Sequence, residues 1–306
     1  MAEQKQDTTW ISRRLSGEGA PLIIDGGMGT ELEKSGVPMN GACWSGMAVL
    51  DAPDMVRHVH EAFIRAGAEV IIANTFSSGR HMLDPAGHGD QVATINHNAV
   101  QLAREARDNA AGKPVAIAGS ICEWAAAESS EWATPKAVAQ TSREQALLLA
   151  EAGVDIIALE MCERPEYSTR VVESALETGL PVWVGVSAMR HKGCDHLSVF
   201  DDATRHFDDL VQALAGYPVQ ALNIMHTPVP DVDAALDIVQ KYWPGPVGVY
   251  PESGYFIMPN WQFVDVISPD DLALAARGWV DRRVRLIGGC CGLGPDHVKA
   301  LSTAFT

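Results

Sequence analysis

Long apolar runs, a surplus of cationic residues and a glycine-rich nucleotide loop are all missing from this sequence of 306 residues. No run reaches the roughly 18 to 20 apolar residues of a membrane-spanning helix, and residues 1–19 lack the apolar core of a signal peptide. Asp and Glu number 39 against 23 Lys and Arg, and the formal charge of −16 disfavours nucleic acid and anionic membranes. We therefore expect a cytoplasmic protein with neither as a partner.

Cysteine is scarce, and nothing in the chain marks a domain boundary. A hydrophobic content of 47% with 20% charged residues is typical of a globular chain, and no linker-like segment interrupts it. The sequence therefore predicts one domain over residues 1–306, in which residues 1–19 form a short N-terminal extension. In a reducing compartment the six cysteines are ligands, nucleophiles or core residues rather than disulfides. A disulfide between the adjacent Cys290 and Cys291 would also be strained.

Short apolar runs alternate with amphipathic segments along the whole chain, which predicts parallel strands covered by helices. Eight such units in about 300 residues favour a single-domain (β/α)8 barrel, with a doubly wound open sheet as the alternative. The strands are predicted at Leu22–Gly26, Val70–Thr75, Val115–Gly119, Asp155–Glu160, Val182–Ser187, Gln220–Met225, Val247–Tyr250 and Val284–Gly288. The helices are predicted at Asp54–Ala66, Val92–Asn109, Lys136–Ala152, Pro165–Thr178, Ala203–Ala215, Val232–Tyr242, Pro269–Arg277 and Pro295–Phe305.

Polar groups and thiols follow most of these strands, where a barrel enzyme carries its chemistry. The most specific group is Cys290-Cys291, which lies on a glycine-flanked turn after the eighth strand. Two vicinal thiols on such a turn can bind one soft metal ion, and thiolates favour zinc (Zn²⁺). The alternative interpretation is a pair of small core residues, because free cysteine is often buried.

Four motifs follow one another along the chain: IDGGMGTELEKSG around the first strand, ANTF after the second, LE after the fourth and GGCCG after the eighth. In this order they resemble the homocysteine S-methyltransferase family. The resemblance spans nearly the whole chain. It implies a (β/α)8 barrel enzyme that binds zinc through three cysteines and transfers a methyl group to the sulfur of homocysteine.

The resemblance also implies roles for residues at the strand ends. Asp25 and Glu160 would hold the homocysteine ammonium group, and the N–H groups of Gly26 and Gly27 would bind its carboxylate. Further polar residues are expected to line the pocket: Asn74, Thr75, Ser120 and Asn223. The methyl donor is expected to be a small sulfonium or quaternary ammonium compound. A cation of this kind is attracted to aromatic rings, and the sequence offers Phe76, Trp124, Trp132 and Tyr255 for an aromatic box.

One position departs from the family pattern. The family carries a zinc cysteine after an asparagine at the end of the sixth strand, whereas here Ile224 follows Asn223. His226 would then complete a Cys2His site with Cys290 and Cys291, a usual ligand set for catalytic zinc. Cys122 is a second candidate and Cys194 a weaker one. A weakened or lost metal site is the remaining alternative.

The missing cysteine leaves three kinds of function open. The first is methyl transfer to homocysteine. The second is a related barrel with a different acceptor, or one that demethylates or hydrolyses a methylated compound. The third is an inactive binding protein. The sequence decides neither the donor nor whether the chain forms a homo-oligomer.

Overall fold

The computed structural model describes residues 8–124, 132 and 134–305. Eight parallel strands form one sheet in the order 1-8-7-6-5-4-3-2, and a bridge between Ile24 and Val70 joins the first strand to the second. The sheet therefore closes, and the predicted (β/α)8 barrel is confirmed. The strands, first to eighth, are Leu22–Ile23, Val70–Ala73, Ala116–Cys122, Ile156–Cys162, Val182–Val186, Ala221–Pro228, Val247–Glu252 and Val284–Ile287.

Helices surround the strands, and eight of those described lie close to the predicted positions. The helices span Thr9–Leu15, Met28–Lys34, Ala48–Asp51, Pro53–Ala66, Arg80–Leu83, Val92–Ala110, Pro135–Ala152, Pro165–Leu176, Phe207–Leu214, Val232–Tyr242, Pro269–Asp281 and Pro295–Phe305. The helices that were not predicted are Thr9–Leu15, Met28–Lys34, Ala48–Asp51 and Arg80–Leu83. The helix predicted from Ala203 begins only at Phe207, because the Asp202 carboxylate accepts the N–H of Thr204 and holds a turn there. Within the described ranges, no helix has the length and apolar character needed to cross a bilayer.

Two hairpins follow the strands at the carboxyl end of the barrel. The first pairs Ala188–Met189 with Ser198–Val199, and the second pairs Tyr255–Ile257 with Asn260–Gln262. The second hairpin follows the seventh strand directly. Each therefore adds side chains to the end of the barrel where βα-barrel enzymes carry their active sites.

The opposite end of the barrel is covered by the first helix. Ile11 and Leu15 are buried against residues of the barrel interior. Arg14 fastens the helix through two contacts of 3.1 and 3.2 Å with the Glu69 carboxylate. The barrel is therefore closed at one end and open at the other.

His60 gives a test of the core that does not involve the site. Its ring is buried with no hydrogen-bond partner on either nitrogen, and burial lowers its pKa to about 3. Below pH 6.5 the unfolded chain therefore binds a proton at His60 that the folded chain does not bind. The free energy of unfolding consequently falls as the pH drops from 6.5 toward 3. We expect His60→Leu to remove about 2 kcal/mol of the stability difference between pH 8 and pH 5 in urea unfolding.

The matched control is His58→Leu, because His58 lies on the same helix but is exposed. This variant should show the same pH dependence of stability as the parent protein. An unchanged pH dependence in His60→Leu would contradict the burial of a neutral imidazole.

Candidate metal and substrate site

A cavity opens at the carboxyl end of the barrel. Glycine backbone, two thiols and an imidazole form one part of its wall, and aromatic rings form much of the rest. The residues that line it and carry the argument below are Gly26, Gly27, Gly29, Trp44, Asn74, Phe76, Trp124, Glu160, Phe200, Asp201, His226, Phe256, Trp261, Gly289, Cys290 and Cys291.

The turn that carries the two thiols is fixed by backbone hydrogen bonds. The N–H of Cys290 donates to the carbonyl of Pro251 at 2.8 Å, and the carbonyl of Cys291 accepts from Ser253 at 3.0 Å. Gly292 has a φ of 82°, and a Cβ there would lie 1.9 Å from the Ser253 carbonyl oxygen. Only glycine fits this close approach, so the GGCCG pattern places both cysteines at the cavity wall.

His226 lies beside the thiols because the sixth strand ends irregularly. Its φ of 45° is left-handed, and the register with the seventh strand shifts between Met225 and Pro228. The Nδ1 atom of His226 lies 3.6 Å from Cys290 Sγ and 3.1 Å from Glu252 Oε2. One ligand-type atom from each of His226, Cys290 and Cys291 falls within 4.8 Å of the others.

Ile224 does not occupy the place that the family pattern assigned to it. Its side chain lies in the core between strands and helices, whereas Ala221 and Met225 face the barrel interior. Side chains alternate along a strand, so residue 224 faces away from the cavity. The expectation that position 224 points at the metal site is therefore wrong for this backbone.

The other two cysteines considered for the site lie elsewhere. The Cys122 thiol is buried and donates to the carbonyl of Phe76 at 3.0 Å, and Cys194 is associated with the carbonyl of Ala203 at 3.8 Å. Neither belongs to a cluster of ligand-type atoms in the described part of the chain. Of the three candidates, the structure brings only His226 to the thiols.

The charges around this cluster are strongly coupled. Burial lowers the pKa of His226, but the charges of Glu252 and Cys290 outweigh it and raise that pKa to about 9. Burial raises the pKa of Glu252 to about 7. The pKa of the Cys290 thiol is lowered by hydrogen bonding with Cys291 and by His226, while that of Cys291 is raised. The pair therefore favours one thiolate beside an imidazolium.

Asp25 and Glu160 form an acidic pair at the base of the site. Asp25 is fully buried; its Oδ2 accepts the N–H of Ile72 at 2.7 Å, and its Oδ1 has no partner. Glu160 lines the cavity and accepts a hydrogen bond from Ser120. Burial, and then the charge of Glu160, raises the pKa of Asp25, and burial with the Cys290 charge raises that of Glu160 to about 8. A bound cation would favour the charged form of both carboxyl groups and so lower both pKa values.

The glycines that follow the first strand allow close packing. A Cβ on Gly26 would lie 2.2 Å from the carbonyl oxygen of Leu293, and one on Gly27 would lie 2.6 Å from that of Cys290. The N–H of Gly27 donates to the Leu293 carbonyl at 3.0 Å. This N–H group is therefore engaged in this conformation, and its binding of a substrate carboxylate stays a prediction.

The four predicted polar residues separate into one wall residue and three behind the wall. Asn74 lines the cavity and exchanges hydrogen bonds with Ser45. Thr75 bonds both the N–H and the carbonyl of Ser120, at 2.8 and 2.9 Å, which joins the second and third strands. Asn223 is buried with an unpartnered amide. Thr75, Ser120 and Asn223 do not line the described cavity, contrary to expectation.

Aromatic rings form an arc across the cavity. Trp44, Phe76, Trp124 and Phe256 form a ring of contacts with centroid separations of 6.2 to 6.5 Å, and Trp261 lies 6.4 Å from Phe256. Phe76 and Trp124 were expected here, whereas Trp132 does not line the cavity and Tyr255 is 49% exposed.

Sequence reasoning missed Trp44, Phe256 and Trp261. Trp44 packs its ring over Gly29, and the other two belong to the hairpin after the seventh strand. The sequence signal was the position of these rings in loops after strands, which alone does not show that they converge.

The sequence of this chain is similar to those of known proteins. Residues 22–305 match the model of a protein family described as Homocysteine S-methyltransferase. Homocysteine S-methyltransferase of Escherichia coli (strain K12) is 30% identical, with 92% of this chain and 94% of that protein aligned. Homocysteine S-methyltransferase 2 of Zea mays is 27% identical over 95% of this chain and 91% of its own length.

One relative is named for a different acceptor. Selenocysteine Se-methyltransferase of Brassica oleracea var. italica is 26% identical, with 97% of this chain and 92% of that protein covered. Among solved structures, the metallated form of the homocysteine methyltransferase MmuM from Escherichia coli superposes with a TM-score of 0.77. It is 26% identical and is matched over 95% of this chain and 98% of its own.

Proposed function

Because the chain belongs to the homocysteine S-methyltransferase family, we propose that it transfers a methyl group from a small onium donor to homocysteine. The observation that carries the proposal is the convergence of two vicinal thiols, an imidazole and the Glu160 carboxyl group on one aromatic cavity. Asp25 is buried beside Gly26 in the sequence and does not itself line the described cavity. The thiols and the imidazole suit a metal ion, the carboxylates suit the substrate ammonium group, and the rings suit a cationic donor.

The spacing of the Cys290 sulfur and the His226 nitrogen fits a shared zinc ion. With bonds of about 2.3 Å to sulfur and 2.0 to 2.1 Å to nitrogen, tetrahedral geometry places ligand atoms about 3.6 Å apart. The separation between Cys290 Sγ and His226 Nδ1 is 3.6 Å. We propose Cys290, Cys291 and His226 as the zinc ligands. When bound, zinc supplies the acidity that turns a substrate thiol into a thiolate at neutral pH.

The protein's own residues position the acceptor. Glu160 and Asp25 provide negative charge for the ammonium group, which fixes the amino acid end of homocysteine beside the thiols. The substrate sulfur is then directed toward the aromatic arc, where the donor is held. Alignment of the sulfur with the methyl carbon reduces the entropy lost at the reacting step.

The reaction is a single displacement. The sulfur electron pair forms a bond to the methyl carbon, the bond from that carbon to the donor heteroatom breaks, and the donor leaves as a neutral sulfide or amine. Rings of Trp44, Phe76, Trp124, Phe256 and Trp261 stabilise the onium charge and exclude water. The products are methionine and the demethylated donor.

Mass spectrometry of the products tests the proposed reaction. Zinc-loaded protein with homocysteine and a sulfonium donor carrying a labelled methyl group should form labelled methionine. Labelled methanol in its place would show that water is the acceptor and would favour a hydrolase. The absence of both products across sulfonium and quaternary ammonium donors would contradict the proposed function.

The assignment of His226 gives a prediction for metal affinity. Since residue 226 has a left-handed backbone, Asn is the least strained replacement and Ala carries a small conformational cost. We expect His226→Asn to weaken zinc binding by at least about tenfold in chelator competition, because a ligand is lost. We expect His226→Cys to retain most of the affinity, because sulfur can replace nitrogen.

Ile224→Cys is the matched control, since it also adds a thiol to the sixth strand. Residue 224 faces the helices, so the zinc affinity of the Ile224→Cys variant should equal that of the parent protein. The absorption spectrum of the cobalt-substituted protein should gain thiolate character in His226→Cys alone. Full zinc affinity in His226→Asn would remove His226 from the ligand set.

A further inference from the structure

A buried glutamate lies against the proposed metal ligands. Glu252 ends the seventh strand and is 3% exposed. It does not line the described cavity, whereas His226, Cys290 and Cys291 do, so its carboxyl group lies on the protein side of these three residues. The ring of His226 also packs against that of Phe200, with 4.6 Å between the centroids.

Backbone hydrogen bonds hold residue 252 beside the thiol turn. The residue before it, Pro251, accepts the N–H of Cys290 at 2.8 Å, and the residue after it, Ser253, donates to the carbonyl of Cys291 at 3.0 Å. A displacement of Glu252 along its strand would break both bonds. Its backbone is therefore fixed relative to the thiols, while its side chain can still rotate.

One oxygen of this carboxyl group has no hydrogen-bond partner. The Oε2 atom of Glu252 is buried and lies 3.1 Å from the Nδ1 atom of His226, yet the two groups do not form a hydrogen bond. The same nitrogen lies 3.6 Å from the Sγ atom of Cys290, in hydrogen-bond geometry. A buried carboxylate oxygen without a donor is costly, and a metal ion beside Nδ1 would relieve that cost.

The spacing of the two groups is close to that of zinc ligands. Zinc binds carboxylate oxygen at about 2.0 to 2.2 Å and imidazole nitrogen at about 2.0 to 2.1 Å, so tetrahedral geometry places two such atoms about 3.3 to 3.5 Å apart. The observed distance from Oε2 to Nδ1 is 3.1 Å. Glu252 is not among the three residues whose ligand atoms fall within 4.8 Å of one another, so its carboxylate has to turn toward the thiols when the metal binds.

We infer that Glu252 is a fourth protein ligand of the zinc ion, in addition to Cys290, Cys291 and His226. This inference rests on the metal site of the proposed function and adds a ligand to it. Because the carboxylate approaches from the protein side, the cavity side of the ion stays available to the homocysteine sulfur, and catalytic zinc can accept a fifth ligand. The added negative charge makes the ion a weaker Lewis acid, so the sulfur retains more of its nucleophilicity.

Two substitutions separate ligation from the effect of charge alone. Glu252→Gln removes the carboxylate, whereas Glu252→Asp keeps it but shortens the side chain by one methylene group, about 1.5 Å. In chelator competition, both variants should bind zinc at least about tenfold more weakly than the parent protein, because the fixed backbone keeps the shorter carboxylate from the ion. Unchanged affinity in Glu252→Gln, or a loss in Glu252→Gln alone, would overturn the inference.

Glu163→Gln is the matched control. Glu163 is another buried glutamate at this end of the barrel, and its Oε2 atom accepts the N–H of Asp201 at 3.3 Å. Burial, and then the charge of Asp201, raises the pKa of Glu163 well above its usual range, so glutamine resembles its neutral form. This variant should bind zinc as tightly as the parent protein. A loss equal to that of Glu252→Gln would show a general effect of buried glutamates and overturn the assignment.

The zinc-loaded parent protein provides a test that does not require any variant to fold. Its crystal structure should place one carboxylate oxygen of Glu252 about 2.0 to 2.2 Å from the ion. A separation above about 3 Å would remove Glu252 from the ligand set, since it exceeds the length of a zinc–oxygen bond.

The two proposals fail in different ways. Methionine formation by a protein whose Glu252 variants keep the full zinc affinity would support methyl transfer to homocysteine and overturn the fourth ligand. Weakened zinc binding in both variants, for a protein that forms no methionine, would support the fourth ligand and overturn the proposed reaction. Because zinc affinity is measured without homocysteine or donor, neither result depends on the other.

Discussion

Replacement of either vicinal cysteine should remove the metal and the activity together. We expect purified protein to contain about one zinc per chain, and we expect Cys290→Ser, Cys291→Ser and the double variant to contain almost none. The reason is that two of the three proposed ligands lie on this turn, and a serine hydroxyl binds zinc far more weakly than a thiolate. Methyl transfer should fall by more than the roughly 10- to 100-fold that loss of an outer-shell partner costs.

Cys194→Ser is the control for this experiment. Cys194 is partly exposed and lies outside the cluster, so this variant should keep its zinc and its rate. Elemental analysis gives the metal content, and circular dichroism shows whether the barrel is folded. Full zinc retention in the double variant would show that the metal, if bound, lies elsewhere.

Neutralisation of Asp25 or Glu160 should weaken homocysteine recognition by an amount similar to the loss of methyl transfer in the cysteine variants. Asp25→Asn and Glu160→Gln each remove a buried carboxyl group that we propose is ionised when the substrate ammonium group is bound. The expected loss in kcat/KM for homocysteine is about 100-fold, corresponding to about 2 to 3 kcal/mol for a charged hydrogen-bonded partner. Asp25→Asn also preserves an acceptor oxygen for the N–H of Ile72, so the fold should persist.

A deaminated acceptor separates recognition from structural damage. The parent protein should strongly prefer homocysteine over 4-mercaptobutanoate, which has the same thiol and carboxylate but no ammonium group. In both variants this preference should shrink, because only homocysteine loses its ionic partner. A proportional loss for both acceptors would show that the acids support the barrel and do not bind the ammonium group.

The order of elements and the region of the site could be predicted from local sequence. Strands of a closed parallel barrel are buried on both faces, so they appear as apolar runs, and the helices between them show a regular amphipathic pattern. The thiol turn was equally visible. Gly292 adopts a positive φ that favours glycine, and this requirement marks the turn in the sequence.

Side-chain direction at the ends of strands was decided by tertiary structure. Position 224 looked like a ligand position by pattern, yet strand alternation turns Ile224 toward the helices. His226 reaches the thiols only because its backbone is left-handed and the register shifts beside it. An irregularity of this kind depends on the neighbouring strands, and no local pattern reveals it.

Convergence in space was likewise beyond the sequence. Trp44, Phe256 and Trp261 come from distant loops and meet over the cavity, whereas Trp132 and Tyr255 remain outside it. Thr75 resembled a pocket residue, but its hydroxyl group bonds the backbone N–H and carbonyl of Ser120. The sequence by itself determined the barrel and the thiol turn, because both follow from the local requirements of backbone and burial, whereas the role of Asp25 and Glu160 came from the family resemblance. Tertiary structure decided which side chains share the cavity, because loop packing and strand register set direction and distance over long separations.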